Sequence, residues 1–276
     1  MKPVIVTAAI TGGHPPGTRG DAHPVTPAAL LRDSLACWRA GAAIIHIHAR
    51  RDDGHTTMDA GAYSHLAAAI RAAGCDAVID FSAGDDGGRT THGERLAVPT
   101  AGAEIVTYSG GSFNLGSRLY DNRPEYLKAL SKALVAQNAR PEVEVFDSGH
   151  IDSVAFLTEA GLSPPYFYQF ICGPRGMLRA DPALIALLVG YLPQGSEWSV
   201  SGQTGSDYIA HDRLLQFALS NAGHVRSGFE DTMLLNNGMP ASNNAELVLQ
   251  WVHAANSLGR PVATPTEART ILRLGK

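Results

Sequence analysis

The segment His46-Ile47-His48 places two imidazole side chains at alternate positions of an apolar run that has the pattern of a buried β-strand. Alternate residues of a strand point to the same face, so both imidazoles are expected on one side. Buried imidazoles need polar partners, and a shared zinc ion would satisfy both rings. Two core histidines with separate hydrogen-bond partners are the alternative, and the short motif by itself leaves both interpretations open.

Eight apolar runs predict short β-strands, and most gaps between them have a helical pattern. Thr26-Pro27 is a typical helix start, with Thr as the N-cap and Pro in the first turn. The predicted strands are residues 4–10, 43–48, 77–82, 104–109, 142–146, 166–171, 197–201 and 225–229. The predicted helices are residues 28–40, 59–73, 124–138, 181–189, 206–222 and 242–258.

Strands that alternate with helices indicate a parallel sheet. Eight such units in 276 residues predict an α/β fold of the closed (β/α)₈ type, a TIM barrel, as a single catalytic domain spanning residues 1–276. An open doubly wound sheet is the alternative. It fits the sequence less well, because no GxGxxG turn follows the first predicted strand and because it does not explain where the polar residues fall.

The composition narrows the class of protein. With 45% hydrophobic and 17% charged residues, the chain can bury one large core. A net charge of −4 without a basic run argues against nucleic acid as a partner. The three cysteines are widely spaced and form no CxxC pair, and neither a signal peptide nor an apolar span is visible. We therefore expect a cytoplasmic protein without a membrane partner.

Polar residues cluster at the carboxyl ends of the predicted strands, where TIM-barrel enzymes place their active sites. A chain without a site would scatter them, so their coincidence at one end of the barrel supports the metal hypothesis. They are His14 after the first strand, His46 and His48 in the second, Ser82 in the third, Thr107 and Ser109 in the fourth, Glu144 in the fifth, and Arg226, Glu230 and Asp231 around the last.

Glu230 is the expected third zinc ligand, because catalytic zinc typically has three protein ligands and one open position. It follows the last predicted strand, which lies beside the first strand of a closed barrel and therefore close to the strand of His46. Gly228 just before it permits a close approach of the backbone. The alternative is that Glu230 and Asp231 form a surface turn or the acidic start of a helix.

Several segments appear together in an order that resembles the β-keto acid cleavage enzymes, the family typified by 3-keto-5-aminohexanoate cleavage enzyme. The resemblance covers essentially the whole chain; each segment is weakly specific, and the ordered set is strongly so. The segments are residues 7–12, 24–27, 41–48, 141–149, 225–231, 242–248 and 259–265.

The resemblance implies a zinc-dependent TIM barrel, usually a homotetramer, with acetyl-CoA as co-substrate. The implied enzyme is an acyltransferase that converts a β-keto acid and acetyl-CoA into acetoacetate and a new acyl-CoA. The family's zinc ligands correspond to His46, His48 and Glu230. Its catalytic residues correspond to Ser82, Glu144, Arg226 and Asp231, and all of these are present.

The residue types suit this chemistry. Zinc would act as a Lewis acid on the substrate oxygens. Asp231 is the expected base for the methylene proton, oriented by Ser82 and Arg226, and Glu144 would hold Arg226 or a water molecule. For each of these residues the alternative is a buried hydrogen-bonding role between barrel layers.

Substrate selection is where the sequence departs from the best-known pattern. Family members that cleave amino-bearing substrates have an acid at the position of His14, and a carboxylate there would pair with the ammonium group. His14 therefore disfavours an amino or quaternary ammonium substrate. His14 with Arg19 favours an anionic or polar distal group, unless Arg19 caps a loop or contacts a neighbouring subunit. Thr107 and Ser109 are expected to line the same pocket.

The CoA site cannot be located in this way. Arg89 and Arg175 are candidate phosphate contacts, although the favoured interpretation is that both are solvated surface residues. Two other functions remain open: a zinc-dependent hydrolase or aldolase on the same barrel, and a barrel with structural zinc and no activity. Metal hydrolases usually carry HxH on the first strand and need a set of further histidines and an aspartate later. Here HxH lies on the second predicted strand, and no such set is evident.

Overall fold

Eight parallel strands form a closed barrel in the computed structural model, which describes residues 1–84, 89–173 and 175–275. The barrel strands are β1 (Val6–Ala9), β2 (Ile44–Ile47), β3 (Val78–Phe81), β4 (Ile105–Ser109), β7 (Arg140–Val145), β8 (Phe167–Cys172), β9 (Glu197–Gly202) and β10 (His224–Ser227). They follow chain order around the ring, and β10 closes against β1. The predicted TIM barrel is confirmed.

Helices cover the outside of the barrel. Each helix in the described ranges is too short or too polar to cross a lipid bilayer. The helices are α1 (Pro27–Arg39), α2 (Ala60–Ala72), α3 (His92–Arg95), α4 (Pro124–Ala136), α5 (Ala155–Glu159), α6 (Pro182–Val189), α7 (Tyr208–Ser220), α8 (Asn244–Ser257) and α9 (Pro265–Leu272), with 3₁₀ turns at Val98–Ala101 and Ser148–Val154.

The six predicted helices correspond to α1, α2, α4, α6, α7 and α8, with ends shifted by a few residues. The hydroxyl of Thr26 accepts the amide of Ala29, as the N-cap prediction requires. Helices α3, α5 and α9 were not predicted; α3 and α5, of four and five residues, are too short to show helical periodicity. Helix α9 buries Ala268 and Leu272 against the amino-terminal end of the barrel and so closes its base.

The register of the barrel brings polar side chains together. β2 pairs with β3 so that His46 lies beside Asp80, and β1 pairs with β2 so that Ala9 lies beside His46. Parallel neighbours in register point to the same side of the sheet. The side chain of Asp80 therefore reaches the imidazole of His46.

A two-stranded hairpin follows β4 and was not predicted. Its strands, β5 (Phe113–Leu115) and β6 (Arg118–Tyr120), pair antiparallel, with Phe113 opposite Tyr120. An isolated hairpin of this length is marginal in water and needs an apolar surface to pack on. Here the ring of Phe113 stacks on that of Phe146, just after β7, with centroids 4.2 Å apart.

Candidate metal centre and active site

Three side chains converge at the carboxyl end of the barrel. His46 lies in β2 and His48 just after it, while Glu230 follows β10. Nε2 of His46 lies 3.3 Å from one carboxylate oxygen of Glu230, and Nε2 of His48 lies 3.6 Å from the other. One ligand atom from each residue lies within 4.8 Å of the other two, so a single metal ion could reach all three. These are the three residues that the sequence analysis proposed as ligands.

The residues fit a zinc ion in their donor chemistry and in what they leave unpaired. Nε2 of His46 and Oε2 of Glu230 are buried and have no hydrogen-bond partner among the described residues. Unpaired buried polar atoms are unfavourable, and a bound cation would satisfy both. Two imidazoles and a carboxylate form a donor set that catalytic zinc commonly takes.

Asp80 orients the first of these ligands. Its Oδ2 lies 2.7 Å from Nδ1 of His46, and both side chains are fully buried. Donation of the Nδ1 proton to Asp80 leaves the Nε2 lone pair facing Glu230. A carboxylate behind a metal-binding histidine is the usual arrangement in zinc sites.

The electrostatics of the site favour a cation. Burial lowers the pKa of His46, but the carboxylates of Glu230 and Asp80 outweigh it and hold that pKa well above its usual value. Burial raises the pKa of Glu230, yet the charges of Arg226, His46 and His48 hold it well below its usual value. The pKa of His48 is lowered, chiefly by burial. Glu230 is therefore ionised and His48 neutral near pH 7, as ligands must be, and a metal ion would displace the second proton that the two carboxylates hold on His46.

Arg226 in β10 is a fully buried cation among carboxylates. Its Nη2 donates to Glu230 at 2.5 Å, and its Nε donates to Asp231 at 3.2 Å. Its Nη1 lies 3.9 Å from Glu142 and 4.0 Å from Glu144. Burial lowers the pKa of Arg226, and the acidic neighbours raise it well above its usual value. The guanidinium thus fixes Glu230 and Asp231 side by side.

The other expected catalytic residues lie nearby. Ser82 and Glu144 line a small inner cavity together with His48, Gln203 and Glu230. Ser109 donates to Glu144 at 2.5 Å, and burial raises the pKa of that carboxyl. Asp231 is fully buried and bonded to Arg226, as expected, but within the described residues it forms no hydrogen bond with Ser82, and it does not line this cavity.

Thr107 and Ser109 lie behind the cavity wall and do not line it. The hydroxyl of Thr107 accepts the amide of Ala83 at 2.9 Å and so fixes the loop after β3. The hydroxyl of Ser109 donates its hydrogen bond to Glu144. The structure therefore places both residues as supports for the site, where the sequence analysis expected pocket-lining contacts.

His14 and Arg19 hold the backbone of the loop that carries Glu230. Nε2 of His14 lies 3.1 Å from the carbonyl oxygen of Glu230, and Nη1 of Arg19 donates to the carbonyl of Phe229 at 2.6 Å. Both residues also line an outer cavity of about 720 Å³. The contact of Arg19 with a loop is the arrangement that the sequence analysis named as the alternative to substrate binding.

Sequence reasoning missed Asp80, Gln203 and the hairpin. A signal for Asp80 was available, because an aspartate inside the apolar run Val78-Ile79-Asp80-Phe81 must find a buried partner. Gln203 carried no such signal, since it lies beyond the end of β9 in a polar loop. Glu142 is fully buried, and burial together with the charge of Asp80 holds its pKa well above the usual value.

A closed barrel with two histidines and a glutamate converging at the carboxyl ends of its strands defines a TIM barrel with a candidate metal centre where such enzymes place their active sites. Residues 3–274 match a family model described as beta-keto acid cleavage enzyme. The chain belongs to this family, which confirms the resemblance. It is accordingly an enzyme of the carbon–carbon-cleaving acyltransferase class.

Characterised relatives match over the full length. The chain is 34% identical, over 100% of both sequences, to a 3-keto-5-aminohexanoate cleavage enzyme of Acetoanaerobium sticklandii. It is 29% identical to a 3-oxoadipate:acetyl-CoA acetyltransferase of Cupriavidus necator, over 99% of this chain and 95% of that one. A solved complex of ObcA with a C4-CoA adduct and oxalate superimposes with a TM-score of 0.71 at 20% identity, over 92% of this chain and 68% of the other, and supports the fold.

Proposed function

We propose that this protein is a zinc-dependent enzyme that converts a β-keto acid and acetyl-CoA into acetoacetate and a new acyl-CoA. One observation carries the proposal: His46, His48 and Glu230 converge with two buried, unpartnered ligand atoms, in a chain of the β-keto acid cleavage family. Relatives named as acetyl-CoA transferases of 3-oxoadipate and of 3,5-dioxohexanoate support acetyl-CoA as the co-substrate.

Zinc held by these ligands would supply Lewis-acid stabilisation of negative charge on the substrate oxygens. The chain's own residues perform the proton transfer. Asp231 is the proposed base for the methylene carbon C2. Without substrate it lies behind the wall of the inner cavity, beside the metal ligands, where the guanidinium that it shares with Glu230 holds it, and its contact with C2 would form on substrate binding. Arg226 holds Asp231 in position through two hydrogen bonds. Glu144, 4.0 Å from Arg226, balances the charge of that guanidinium.

The reaction needs no covalent intermediate on the enzyme. The carbanion at C2 attacks the acetyl carbonyl carbon, and the carbon–sulfur bond breaks to release CoA thiolate. The thiolate attacks the former ketone carbon C3, and the bond between C2 and C3 breaks. The electron pair stays on C2 of acetoacetate, which recovers the proton from Asp231, and the acyl group leaves as acyl-CoA.

The outer cavity suits the CoA moiety. Arg19, Arg89 and Arg118 line it, and guanidinium groups bind phosphate well. The outer and inner cavities share Leu115 and Gln203 in their walls, so a thioester arm could pass from one to the other. Of the two arginines considered from the sequence, Arg89 lines this cavity and Arg175 does not.

The substrate is not amino-bearing in this proposal. The residue at position 14 is a histidine, and burial together with the charge of Arg19 lowers its pKa. A neutral imidazole bonded to a backbone carbonyl offers no counter-charge for an ammonium group.

Acetoacetate formation from a β-keto acid tests the proposal. Zinc-loaded protein should produce acetoacetate and acyl-CoA in equal amounts, measured by mass spectrometry, only when acetyl-CoA is present. Turnover without acetyl-CoA would indicate the hydrolase or aldolase alternative, and no turnover of any β-keto acid would indicate a barrel without this activity. The cytoplasmic location and the homotetramer stay predictions.

Comparison of Asp231→Asn with Glu144→Gln tests the assigned base. Loss of a general base typically lowers kcat by about 10²–10⁴-fold, and we expect this loss for Asp231→Asn with a smaller one for Glu144→Gln. The reverse order would give the role of base to Glu144.

A further inference from the structure

We propose that the inner cavity selects β-keto acids whose distal group is short, apolar and uncharged. The inference rests on the proposed function, since it assumes that the keto acid binds beside His48 and Glu230. It concerns the opposite wall of the cavity, to which the sequence analysis assigned no role.

That wall is a compact apolar cluster. The hairpin supplies Phe113, Leu115 and Tyr120, and Phe113 stacks on Tyr120 with ring centroids 4.8 Å apart. The barrel side of the same cluster is formed by Phe146, Ile171 and Met177. All six side chains line the inner cavity.

The polar residues of the cavity lie together and set the direction of the substrate. His48 and Glu230 belong to the candidate metal centre, and Glu144 faces Arg226. The ketone and carboxylate of a β-keto acid are polar and are expected on this side. The chain beyond the ketone must then extend toward the hairpin and Phe146.

Charge decides which distal groups can be accommodated. Among the lining residues that the structure describes, the ionisable acids and imidazoles are His48, Glu144 and Glu230, all on the reacting side, and the apolar wall adds no cation. A distal carboxylate or ammonium would lose water there without gaining a counter-ion, which is strongly unfavourable. His14 and Arg19, expected from the sequence to favour an anionic or polar distal group, line the outer cavity instead.

The size of the cavity sets a limit on length. Its volume is about 90 Å³, against about 720 Å³ for the outer cavity. An apolar protein cavity of about 150 Å³ is large enough to hold benzene. The inner cavity is therefore too small for a bulky distal group, and a short alkyl group would fill its apolar side while the rest of the substrate extends toward the outer cavity past Leu115 and Gln203.

Calorimetric titration in the absence of acetyl-CoA tests this selectivity separately from turnover. The zinc-loaded protein is titrated with three six-carbon ligands: 3-oxohexanoate, 3-oxoadipate and 3-keto-5-aminohexanoate. We expect 3-oxohexanoate to bind with a Kd at least about tenfold lower than either charged ligand, with a negative heat-capacity change. Equal affinities, or tighter binding of a charged ligand, would overturn the inference.

Met177→Lys places a cation in the wall, and Met239→Lys is the matched control, because Met239 is 60% exposed and lies outside both cavities. We expect Met177→Lys to narrow or reverse the preference for 3-oxohexanoate over 3-oxoadipate, and Met239→Lys to leave it unchanged. An unchanged preference in a folded Met177→Lys protein would also contradict the proposal that the apolar wall determines the selectivity. If the ligands bind in the expected order but no acetoacetate forms with acetyl-CoA, the selectivity stands and the proposed reaction fails.

Discussion

The two ring nitrogens of His46 face two different carboxylates, and this determines how the residue can act. Asp80 accepts the Nδ1 proton, and Glu230 lies opposite Nε2 without a hydrogen bond. The ring cannot rotate without losing the bond to Asp80. His46 is thus held in the tautomer that a metal ligand requires.

Asp80→Asn should weaken zinc binding about 10–100-fold, because loss of the partner behind a ligating histidine typically has that effect. Titration against a chromophoric chelator would measure the Kd for zinc. Asp76→Asn is the control, since Asp76 is exposed and accepts a hydrogen bond from Trp38. An unchanged zinc affinity in Asp80→Asn would show that Asp80 does not position the ligand.

Site residues that have a recognisable local sequence pattern could be predicted, whereas contacts that depend on the three-dimensional arrangement could not. His46 and His48 carry their own spacing, and Glu230 could be inferred from its place after the last strand. The contact between Asp80 and His46 depends on the register of β2 against β3, which strand patterns alone do not determine. The bonds from His14 and Arg19 to the carbonyls of residues 229 and 230 depend on loop geometry for the same reason.

The hairpin is the element on which the proposed substrate selection depends. Three-residue strands are too short for a clear alternating pattern, so β5 and β6 could not be predicted, whereas the longer alternation of barrel strands and helices could. The hairpin rests against the segment around Gly176, whose φ is +97°. An added Cβ there would overlap the backbone oxygen of Asn114.

Gly176→Ala should displace the hairpin and weaken binding of 3-oxohexanoate, because backbone must move to admit the methyl group. Gly161→Ala is a matched control: its φ is +101°, and nothing lies within 4 Å of an added Cβ. Both variants carry a left-handed penalty of about 1–2 kcal/mol. Calorimetry should show weaker binding of 3-oxohexanoate only in Gly176→Ala. Equal affinities in the two variants would show that the position of the hairpin does not affect ligand binding.

At the base of the barrel, Glu197 joins β9 to β10 and to the amino terminus. It contacts Lys2 and lies 3.2 Å from Nε2 of His224, whose Nδ1 accepts the amide of Ile5. Burial raises the pKa of Glu197, but the contacts with His224 and Lys2 outweigh it and lower that pKa below its usual value. The ionised carboxylate therefore stabilises the fold.

Glu197→Gln should lower the free energy of unfolding at pH 7 by about 1 kcal/mol, because solvent screens Lys2 and leaves mainly the bond to His224. A lowered folded pKa means that the stabilisation is complete above the unfolded pKa of about 4.3 and is lost as pH falls through the folded value. Urea unfolding at pH 7 and near pH 3 should show the difference between variant and wild type shrinking at acid pH. A constant difference would contradict the pKa shift.

At the scale of the whole molecule, the barrel closes where its first and last strands pair. β1 pairs with β10, and the candidate ligands come from residue 46 near one end of the chain and residue 230 near the other. A metal ion that bridges them would tie β2 to the segment after β10, on either side of β1, where the barrel closes. Metal binding and global stability should therefore be linked.

Removal of zinc should lower the melting temperature by several degrees. A ligand present at a hundred times its Kd contributes about 2.7 kcal/mol, and each kcal/mol moves the melting temperature of a chain this size by about 2–4 °C. Differential scanning calorimetry with and without a chelator would measure the shift. His48→Ala, which lacks a ligand, should show no shift, and a wild-type protein indifferent to the chelator would contradict the link.

X-ray diffraction from crystals of the purified protein, collected on both sides of the zinc absorption edge, tests the central claim most directly. The account predicts one anomalous peak at the carboxyl end of the barrel, about 2.0–2.2 Å from Nε2 of His46, Nε2 of His48 and a carboxylate oxygen of Glu230. A zinc-supplemented crystal with no peak there, or with these three side chains turned away from one another, would contradict it.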